Sequence, residues 1–282
     1  MLLLCKAVIW SSAWAHQPVM DMAPRWAGGY GLQLRYETYG SDDLLHSDSG
    51  IPNPLGREER FHKTWLEGVY TFERSRRLTL KIPYVDQSKT VVQDGAPLKL
   101  TANGWGDLIV GFPLKKYTNA DDFTYNLSFT PSLRLPTGSV SGDFPVSDGS
   151  WDLGLSFSYS SETYKFYQLY DLFYWINGDG KEGMDEGNEL GLDVNLGIHP
   201  YHNNASNTGL FLMWDLSARH REKGMSATGI SGGSRIHSGP VLVLYRGKLM
   251  FRSEYKFPLY EKVAGAQLSR GPELSIALGI VW

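Results

Sequence analysis

Hydrophobic residues alternate with polar or small residues along most of the chain. A two-residue period places successive side chains on opposite faces of a β-strand, whereas the spacing typical of helices is almost absent. The pattern therefore predicts an all-β protein. It is clearest in the last segment, where bulky apolar side chains occupy every second position: Leu274, Ile276, Leu278, Ile280 and Trp282.

Twelve segments of this kind predict twelve strands, with turn signals between them. They span residues 31–38, 64–73, 77–85, 106–114, 124–135, 151–160, 164–176, 189–198, 209–219, 236–245, 249–257 and 273–282. Long and short connections alternate through nearly the whole chain. The predicted long connections include residues 39–63, 86–105, 136–150 and 220–235.

The connection lengths distinguish a membrane barrel from a soluble sandwich, which alternation alone does not. Bacterial outer-membrane barrels have an even number of antiparallel strands, long loops outside and tight turns on the periplasmic side. Strands of this length cross a bilayer at a tilt, and closure leaves no strand edge unpaired. We therefore predict a transmembrane antiparallel up-and-down β-barrel of about 12 strands, with long extracellular loops and short periplasmic turns, in the bacterial outer membrane.

The final strand also predicts how the barrel is assembled. Its lipid-facing side must be apolar at every second position, and a terminal aromatic ring is favoured at the membrane interface. Outer-membrane proteins end in such a strand, which the barrel assembly machinery reads, and the alternative is an ordinary last strand of a soluble sheet. We interpret five residues as the assembly signal: Leu274, Ile276, Leu278, Ile280 and Trp282.

The N-terminus has the features of a secretory leader. A short apolar segment precedes Ala13-Trp14-Ala15, which has the small-x-small form of a signal-peptidase site. We assign residues 1–15 to a signal peptide with a truncated start, 16–27 to a periplasmic segment and 28–282 to the barrel; a buried N-terminal helix is the alternative. Cys5 is the only cysteine, so the mature chain would have no disulfide or cysteine-based metal site.

Charge and hydropathy exclude two classes of protein. The chain has 27 basic and 30 acidic residues, a net charge of −3, and lacks the basic surplus of a nucleic-acid binder. It also lacks an apolar run of the roughly 18 residues that a membrane-spanning helix needs. The expected partners are outer-membrane lipid, lipopolysaccharide, the assembly machinery and a small solute, with no cofactor and no nucleic acid.

Four stretches resemble the large outer-membrane family named for a MetA pathway of phenol degradation. They are GWGDLIVGFPLKKY (104–117), LRLPTGSVSGD (133–143), SWDLGLSFSYS (150–160) and GPVLVLYRGKLMFRSEYKFPLY (239–260). The resemblance covers most of the mature chain and implies an outer-membrane barrel that passes small, aromatic molecules. It identifies no functional residue.

The alternation assigns a set of charged side chains to the inside of the barrel. These are Arg35, Glu37, Glu67, Lys81, Arg134, Asp193, Asp215, Arg219, Arg252, Glu254, Lys256 and Glu273. Charges there cost little if they pair or if the lumen is wet. They form either a salt-bridge network that packs a narrow barrel or the lining of a conduit, and their mixed signs predict no strong ion preference.

Catalytic and metal-binding patterns are weak. His237 and Ser238 are adjacent in a strand and so point to opposite faces, which prevents the hydrogen bond that would activate the serine. We therefore predict no enzymatic activity. The N-terminal HQPVMDM offers soft ligands for copper, namely His16, Met20 and Met22, although such residues in a periplasmic tail usually have no such role.

Together these features predict an outer-membrane channel for a small solute, which the resemblance suggests is aromatic or hydrophobic. The alternative is a non-conducting barrel that serves as a structural or binding platform, with a link to copper handling through the N-terminal segment.

Overall fold

The computed structural model describes residue 24 and residues 26–120, 123–163, 165–203 and 205–282. Most of this part of the chain is β-structure, with one 3-10 turn at Lys181–Gly183. No helix within the described ranges is long and apolar enough to cross a membrane. The strands are β1 (Gly29–Ser41), β2 (Leu44–His46), β3 (Ser49–Ile51), β4 (Glu59–Glu73), β5 (Arg76–Gln93), β6 (Ala96–Trp105), β7 (Leu108–Gly111), β8 (Leu114–Ala120), β9 (Phe123–Leu135), β10 (Asp152–Thr163), β11 (Phe166–Ile176), β12 (Glu189–Asn203), β13 (Thr208–Ser226), β14 (Gly229–Arg246), β15 (Leu249–Val263), β16 (Ala266–Leu268) and β17 (Glu273–Val281).

The main sheet closes into a barrel of twelve antiparallel spanning segments, as predicted. Each segment pairs with the next along the chain, and β6, β7 and β8 together form the fourth. The first and last strands close the ring, with β1 and β17 paired from Gly31↔Val281 to Tyr39↔Glu273. A small sheet of β2, β3 and β16 lies at the extracellular end.

The two-residue period separates a lipid-facing surface from the lumen. On β1 the side chains of Leu32 and Leu34 are exposed on the outside, whereas Gln33 between them is buried. Aromatic rings cluster at the periplasmic edge of the outer surface, where Tyr30 lies 4.8 Å from Tyr70 and 6.0 Å from Trp282. Such rings favour the membrane interface, so the apolar outer surface with its aromatic edge is that of an outer-membrane barrel.

Two predicted extracellular loops are wrong, because the strands continue through them. β5 and β6 are joined by the tight turn Asp94–Gly95, whose φ angles of +52° and +79° suit a two-residue hairpin turn. β13 and β14 extend in the same way to a turn at residues 227–228. Beyond the membrane both faces of a hairpin meet water, so the apolar alternation fades although the ladder continues.

The fourth spanning segment is longer and less regular than the predicted strand 106–114. It is interrupted between β6 and β7, where Gly106 approaches the ring of Pro83 so closely that a Cβ atom would lie 2.9 Å from its Cγ. The second interruption contains Pro113, which lacks the N–H group that a strand ladder needs. Because of these interruptions, β6 and β7 pair with β5, whereas β7 and β8 pair with β9.

The two long hairpins meet across the extracellular mouth. The β5–β6 and β13–β14 hairpins stand on opposite sides of the ring. The Lys89 ammonium donates a hydrogen bond to Oγ1 of Thr228 at 3.2 Å, and also pairs with Glu59 at 3.2 Å. The entrance to the barrel is therefore bridged along one diameter.

The hydrophobic core lies inside the periplasmic half of the barrel. Its inward-facing side chains come from β11, β13, β14, β15 and β17 and leave little accessible surface; Phe211, Val243 and Val281 are fully buried. On the other wall, the carbonyl of Pro24 accepts hydrogen bonds from Thr71 at 2.9 Å and from Arg77 at 3.1 Å. The core cluster consists of Tyr167, Phe211, Met213, Val241, Val243, Tyr245, Met250 and Val281.

Candidate functional site: the barrel lumen

Above this core the barrel encloses a polar cavity of about 490 Å³. Of the charged residues that the sequence assigns to the lumen, Arg134 lies outside the lining of this cavity. It pairs with Asp152 at 2.7 Å and stacks on the ring of Trp175. Eleven of the twelve charged residues that the sequence assigns to the lumen line this cavity: Arg35, Glu37, Glu67, Lys81, Asp193, Asp215, Arg219, Arg252, Glu254, Lys256 and Glu273.

The charges on β1 and β4 form one network. The guanidinium of Arg35 pairs with Glu67 at 2.5 Å and also with Glu37. The remaining oxygen of Glu67 accepts a hydrogen bond from Gln33 at 2.8 Å, and Glu37 accepts one from the indole of Trp65 at 2.8 Å. Because every charge has partners, this group fixes side chains that would otherwise be costly to bury.

A second network joins β13 to β15. The Lys256 ammonium lies 2.8 Å from Oδ1 of Asp215 and 2.6 Å from Oε1 of Glu254. The other carboxylate oxygen of Glu254 binds Arg252 at 2.5 Å. Ser217 completes the network, since its hydroxyl donates to Asp215 at 2.8 Å. The alternation had placed four of these residues in the lumen, but their mutual contacts depend on the register of three strands.

A separate ion pair joins β12 and β13. One guanidinium nitrogen of Arg219 donates to both carboxylate oxygens of Asp193, at 2.7 and 2.8 Å. The same guanidinium lies 4.7 Å from the ring centroid of Phe173, and such cation–π contacts stabilise partly desolvated cations. The orientation of the Arg219 guanidinium is therefore fixed.

One wall of the lumen stacks cations against aromatic rings. The guanidinium carbon of Arg270 lies 4.0 Å from the ring centroid of Tyr39, which lies 4.8 Å from that of Phe61. The Lys63 ammonium lies 4.9 Å from the rings of both Phe61 and Trp65. Aromatic faces thus help to stabilise these cations, as carboxylates do elsewhere in the lumen.

A second cavity of about 230 Å³ lies at the extracellular end, and some residues line both cavities. Arg270, in the connection between β16 and β17, pairs with Glu273 and contacts Tyr39. Burial alone would lower the pKa of Arg270, but Tyr39 and Glu273 raise it above its ordinary value, so this arginine remains charged. Arg221 pairs with Glu189 at 2.6 Å in the same region.

Sequence reasoning missed several residues of this upper region. Arg235 falls within a segment predicted to be a loop, and so does Arg270. Arg235 and His237 are two residues apart on β14, so continued alternation was the signal that could have placed Arg235 in the lumen. The apolar closure of the periplasmic end was also missed, although continuous apolar runs at residues 210–214 and 241–245 indicate strands with two apolar faces.

His237 and Ser238 point to opposite faces of β14. The Nε2 atom of His237 lies 3.2 Å from the carbonyl oxygen of Gly271. Ser238 accepts a hydrogen bond from the indole of Trp214 at 2.7 Å and donates one to the carbonyl of Asp215 at 2.8 Å. The serine hydroxyl is therefore committed to structural contacts away from the imidazole.

The predicted metal ligands lie elsewhere in the chain. His16, Met20 and Met22 fall outside the described residues. Among the described residues, no group of three or more His, Cys, Asp or Glu side chains is arranged to hold a metal ion. The copper hypothesis thus stays a prediction.

Comparison with known proteins assigns the family. A family model described as "Putative MetA-pathway of phenol degradation" matches residues 58–234, which run from the first residues before β4 into β14. The chain belongs to this family. The matched region contains most of the barrel wall and, of the lumen networks, the whole of the Arg219–Asp193 pair.

A solved structure shows the same fold. The COG4313 outer membrane channel from Pseudomonas putida F1 is similar with a TM-score of 0.72 and 14% identity, over 91% of this chain and 96% of that chain. The beta domain of the Bordetella autotransporter BrkA, at 12% identity over 91% and 100% of the chains, has a TM-score of 0.46, too low to indicate a shared fold. No curated protein sequence matched the chain. The fold and the lipid-facing surface place the protein in the bacterial outer membrane.

The predicted assembly signal lies on β17. Its bulky side chains face the lipid, with Leu278 61% exposed, whereas Ala277 and Val281 are buried on the lumen side. The backbone of Trp282 exchanges hydrogen bonds with Tyr30, N to O at 3.0 Å and O to N at 2.8 Å. The last residue therefore belongs to the seam between the first and last strands. Recognition of this residue by the assembly machinery stays a prediction.

Proposed function

We propose that this protein is an outer-membrane channel that passes a small solute through the barrel lumen. The supporting observation is the polar cavity of about 490 Å³ on the barrel axis, continued towards the cell surface by the cavity of about 230 Å³. A cavity of about 150 Å³ is enough to hold benzene, so the larger cavity accommodates a single-ring molecule with water. The barrel wall supplies the closed hydrogen-bonded sheet that a route through lipid requires.

Aromatic compounds are the solutes we favour. Tyr39, Phe61 and Tyr117 line the cavity beside charged groups, so a ring with a polar substituent finds both an apolar and a polar surface. The family description names phenol degradation, and the similar Pseudomonas putida protein is described as an outer membrane channel. Both support the proposal, although neither names a solute.

A second function is favoured by the apolar cluster at the periplasmic end. With Phe211, Val243 and Val281 fully buried, that end of the lumen is packed like a protein core. A barrel closed in this way would serve as a non-conducting platform. Under the channel proposal, the same packing is a closed state that must open for passage.

The experiment is single-channel recording of the full chain, refolded and inserted in a planar bilayer. The channel proposal expects discrete conductance steps that a monocyclic aromatic solute such as phenol reduces. Folding is verified beforehand by heat-modifiable migration on a gel. A silent bilayer with folded, inserted protein would overturn the channel proposal and favour the platform.

A further inference from the structure

One lumen arginine, Arg235, differs in its contacts from Arg219 and Arg270 beside it. Arg235 lies on β14, opposite Arg219 on β13 and Glu261 on β15. Arg219 is bound to Asp193. Glu261 accepts the backbone N–H of Arg270 at 3.1 Å. Within the part of the chain that the structure describes, the guanidinium of Arg235 makes no hydrogen bond or ion pair.

The acidic residue paired in register with Arg235 makes its contacts to other groups. The carboxylate of Glu261 lies 3.5 Å from Nε2 of His237 and binds the Arg270 backbone through both oxygens. Glu189 and Glu273 act on the charge of Arg235 through space, without a contact ion pair. An arginine inside a protein is costly when its charge has lost much of its water and no hydrogen-bonded partner replaces it. A negatively charged ligand would supply the missing contact ion pair.

Arg235 lines both cavities and therefore marks the junction between them. The lining of the larger cavity contains nine lysine and arginine residues against seven aspartate and glutamate residues. The lining of the upper cavity contains six against three. The lumen thus carries an excess of positive charge in a chain whose net charge is −3.

The shape of a guanidinium determines which anion fits. Its parallel N–H groups match the two oxygens of a carboxylate, and such bidentate pairs are stronger and more specific than single contacts. Tyr39 lines both cavities as Arg235 does, and its ring stacks with Phe61 in the larger one. A ligand with a carboxylate and a ring could therefore contact Arg235 and this aromatic wall.

From these observations we infer that Arg235 binds the carboxylate of a small organic anion at the junction of the two cavities, and that the lumen selects anions over cations. The inference rests on the proposed channel function and specifies its substrate class. It differs from the prediction of no strong ion preference, which counted charges of both signs without their pairing.

The test combines a binding measurement, which needs no conduction, with a selectivity measurement. Isothermal titration of the full chain in detergent uses benzoate, with benzyl alcohol as the neutral ring and acetate as the carboxylate without a ring. The reversal potential in a KCl gradient then gives the ratio of anion to cation permeability. We expect benzoate to bind more tightly than either comparison compound, and chloride to permeate faster than potassium.

Arg235→Gln is the central variant. Because the described residues include no partner of this guanidinium, the substitution leaves no carboxylate without a counter-ion, and the barrel should fold. Loss of a charge-assisted pair should weaken benzoate binding by about tenfold or more. The permeability ratio should move towards unity. Arg235→Lys, which keeps the charge but not the bidentate geometry, should retain selectivity while losing benzoate affinity.

The matched control is Arg246→Gln, which removes an exposed arginine at the other end of the same strand and should change neither readout. Equal benzoate affinity in Arg235→Gln and the unmodified protein would overturn the inference. Equal binding of benzoate and benzyl alcohol would also overturn it. A silent bilayer together with Arg235-dependent benzoate binding would refute the channel proposal and leave the anion site standing. Conduction without benzoate binding would refute the anion site and leave the channel proposal standing.

Discussion

Lys256 on β15 reaches across β14 to bind Asp215 on β13, with 2.8 Å between Nζ and Oδ1. Gly239 of β14 lies directly opposite Asp215, so no side chain separates the two. The lysine also holds Glu254, and it is therefore the shared cation of two buried carboxylates. One contact thus ties three neighbouring strands together through the lumen.

Lys256→Met should destabilise the barrel strongly, because it leaves Asp215 and Glu254 with one cation fewer. Removing one partner of a buried ion pair typically costs about 3 to 5 kcal/mol of unfolding free energy. Urea unfolding in lipid vesicles, followed by tryptophan fluorescence, measures the change. Adding Asp215→Asn should recover part of the loss, and Lys248→Met, at an exposed turn, is the control. Equal stabilities of both lysine variants would contradict the network.

Gly239→Ala should disrupt the pairing of β14 with β15. A Cβ atom at this position would lie 1.8 Å from the carbonyl oxygen of Tyr255 and 3.0 Å from Cα of Lys256, so the two strands would have to separate. We expect a loss of about 1 to 3 kcal/mol, the usual cost of overpacking, or failure to fold. Gly68→Ala, where no atom lies within 4 Å, is the control for the same chemical change. Urea unfolding compares them, and similar midpoints would refute the predicted clash.

Phe211→Ala should open the periplasmic end of the lumen. The fully buried ring stacks on His199 at 4.0 Å and contacts Tyr167 and Tyr245, so its removal leaves a void in the apolar closure. We expect a higher single-channel conductance, together with a stability loss of about 3 to 5 kcal/mol. Leu212→Ala, on the lipid-facing side of the same strand, should leave the conductance unchanged. An unaltered conductance in Phe211→Ala would show that this cluster does not limit the route.

Trp282→Ala should reduce the assembled fraction of the protein in the outer membrane. The ring stacks near Tyr30 at the seam, and a terminal aromatic is the feature we interpret as the assembly signal. Heat-modifiable migration of outer-membrane fractions measures folded barrel, and Trp282→Phe should restore it. Trp151→Ala removes another exposed tryptophan and is the control. Normal assembly of Trp282→Ala would refute the assigned role.

The alternation predicted which side chains face lipid because a strand inside a bilayer has two chemically different surroundings. Leu32 and Leu34 face outward, and Gln33 and Arg35 face the lumen, as a two-residue period requires. Outside the membrane this contrast disappears, so the extensions of β5 and β13 were predicted to be loops. The Asp94–Gly95 pair was a hairpin signal that the apolar pattern concealed.

The sequence pattern does not predict which charged side chains of the lumen pair with each other. A strand's alternation gives the face of Arg235 but not the register that places it opposite Arg219 and Glu261. Which carboxylate binds which cation follows from ångström-scale distances across several strands. Arg219 and Arg235 both face the lumen, yet among the described residues only Arg219 of these two forms an ion pair.

The hydrogen bond between Lys89 and Thr228 gives the rim of the barrel a mechanical property. A cylinder that is tied across one diameter resists flattening along that direction. Long hairpins that project into water are otherwise the parts of a barrel with the lowest local stability. The tie therefore restricts their fluctuation, and under the channel proposal a solute arriving from outside has to pass beside it.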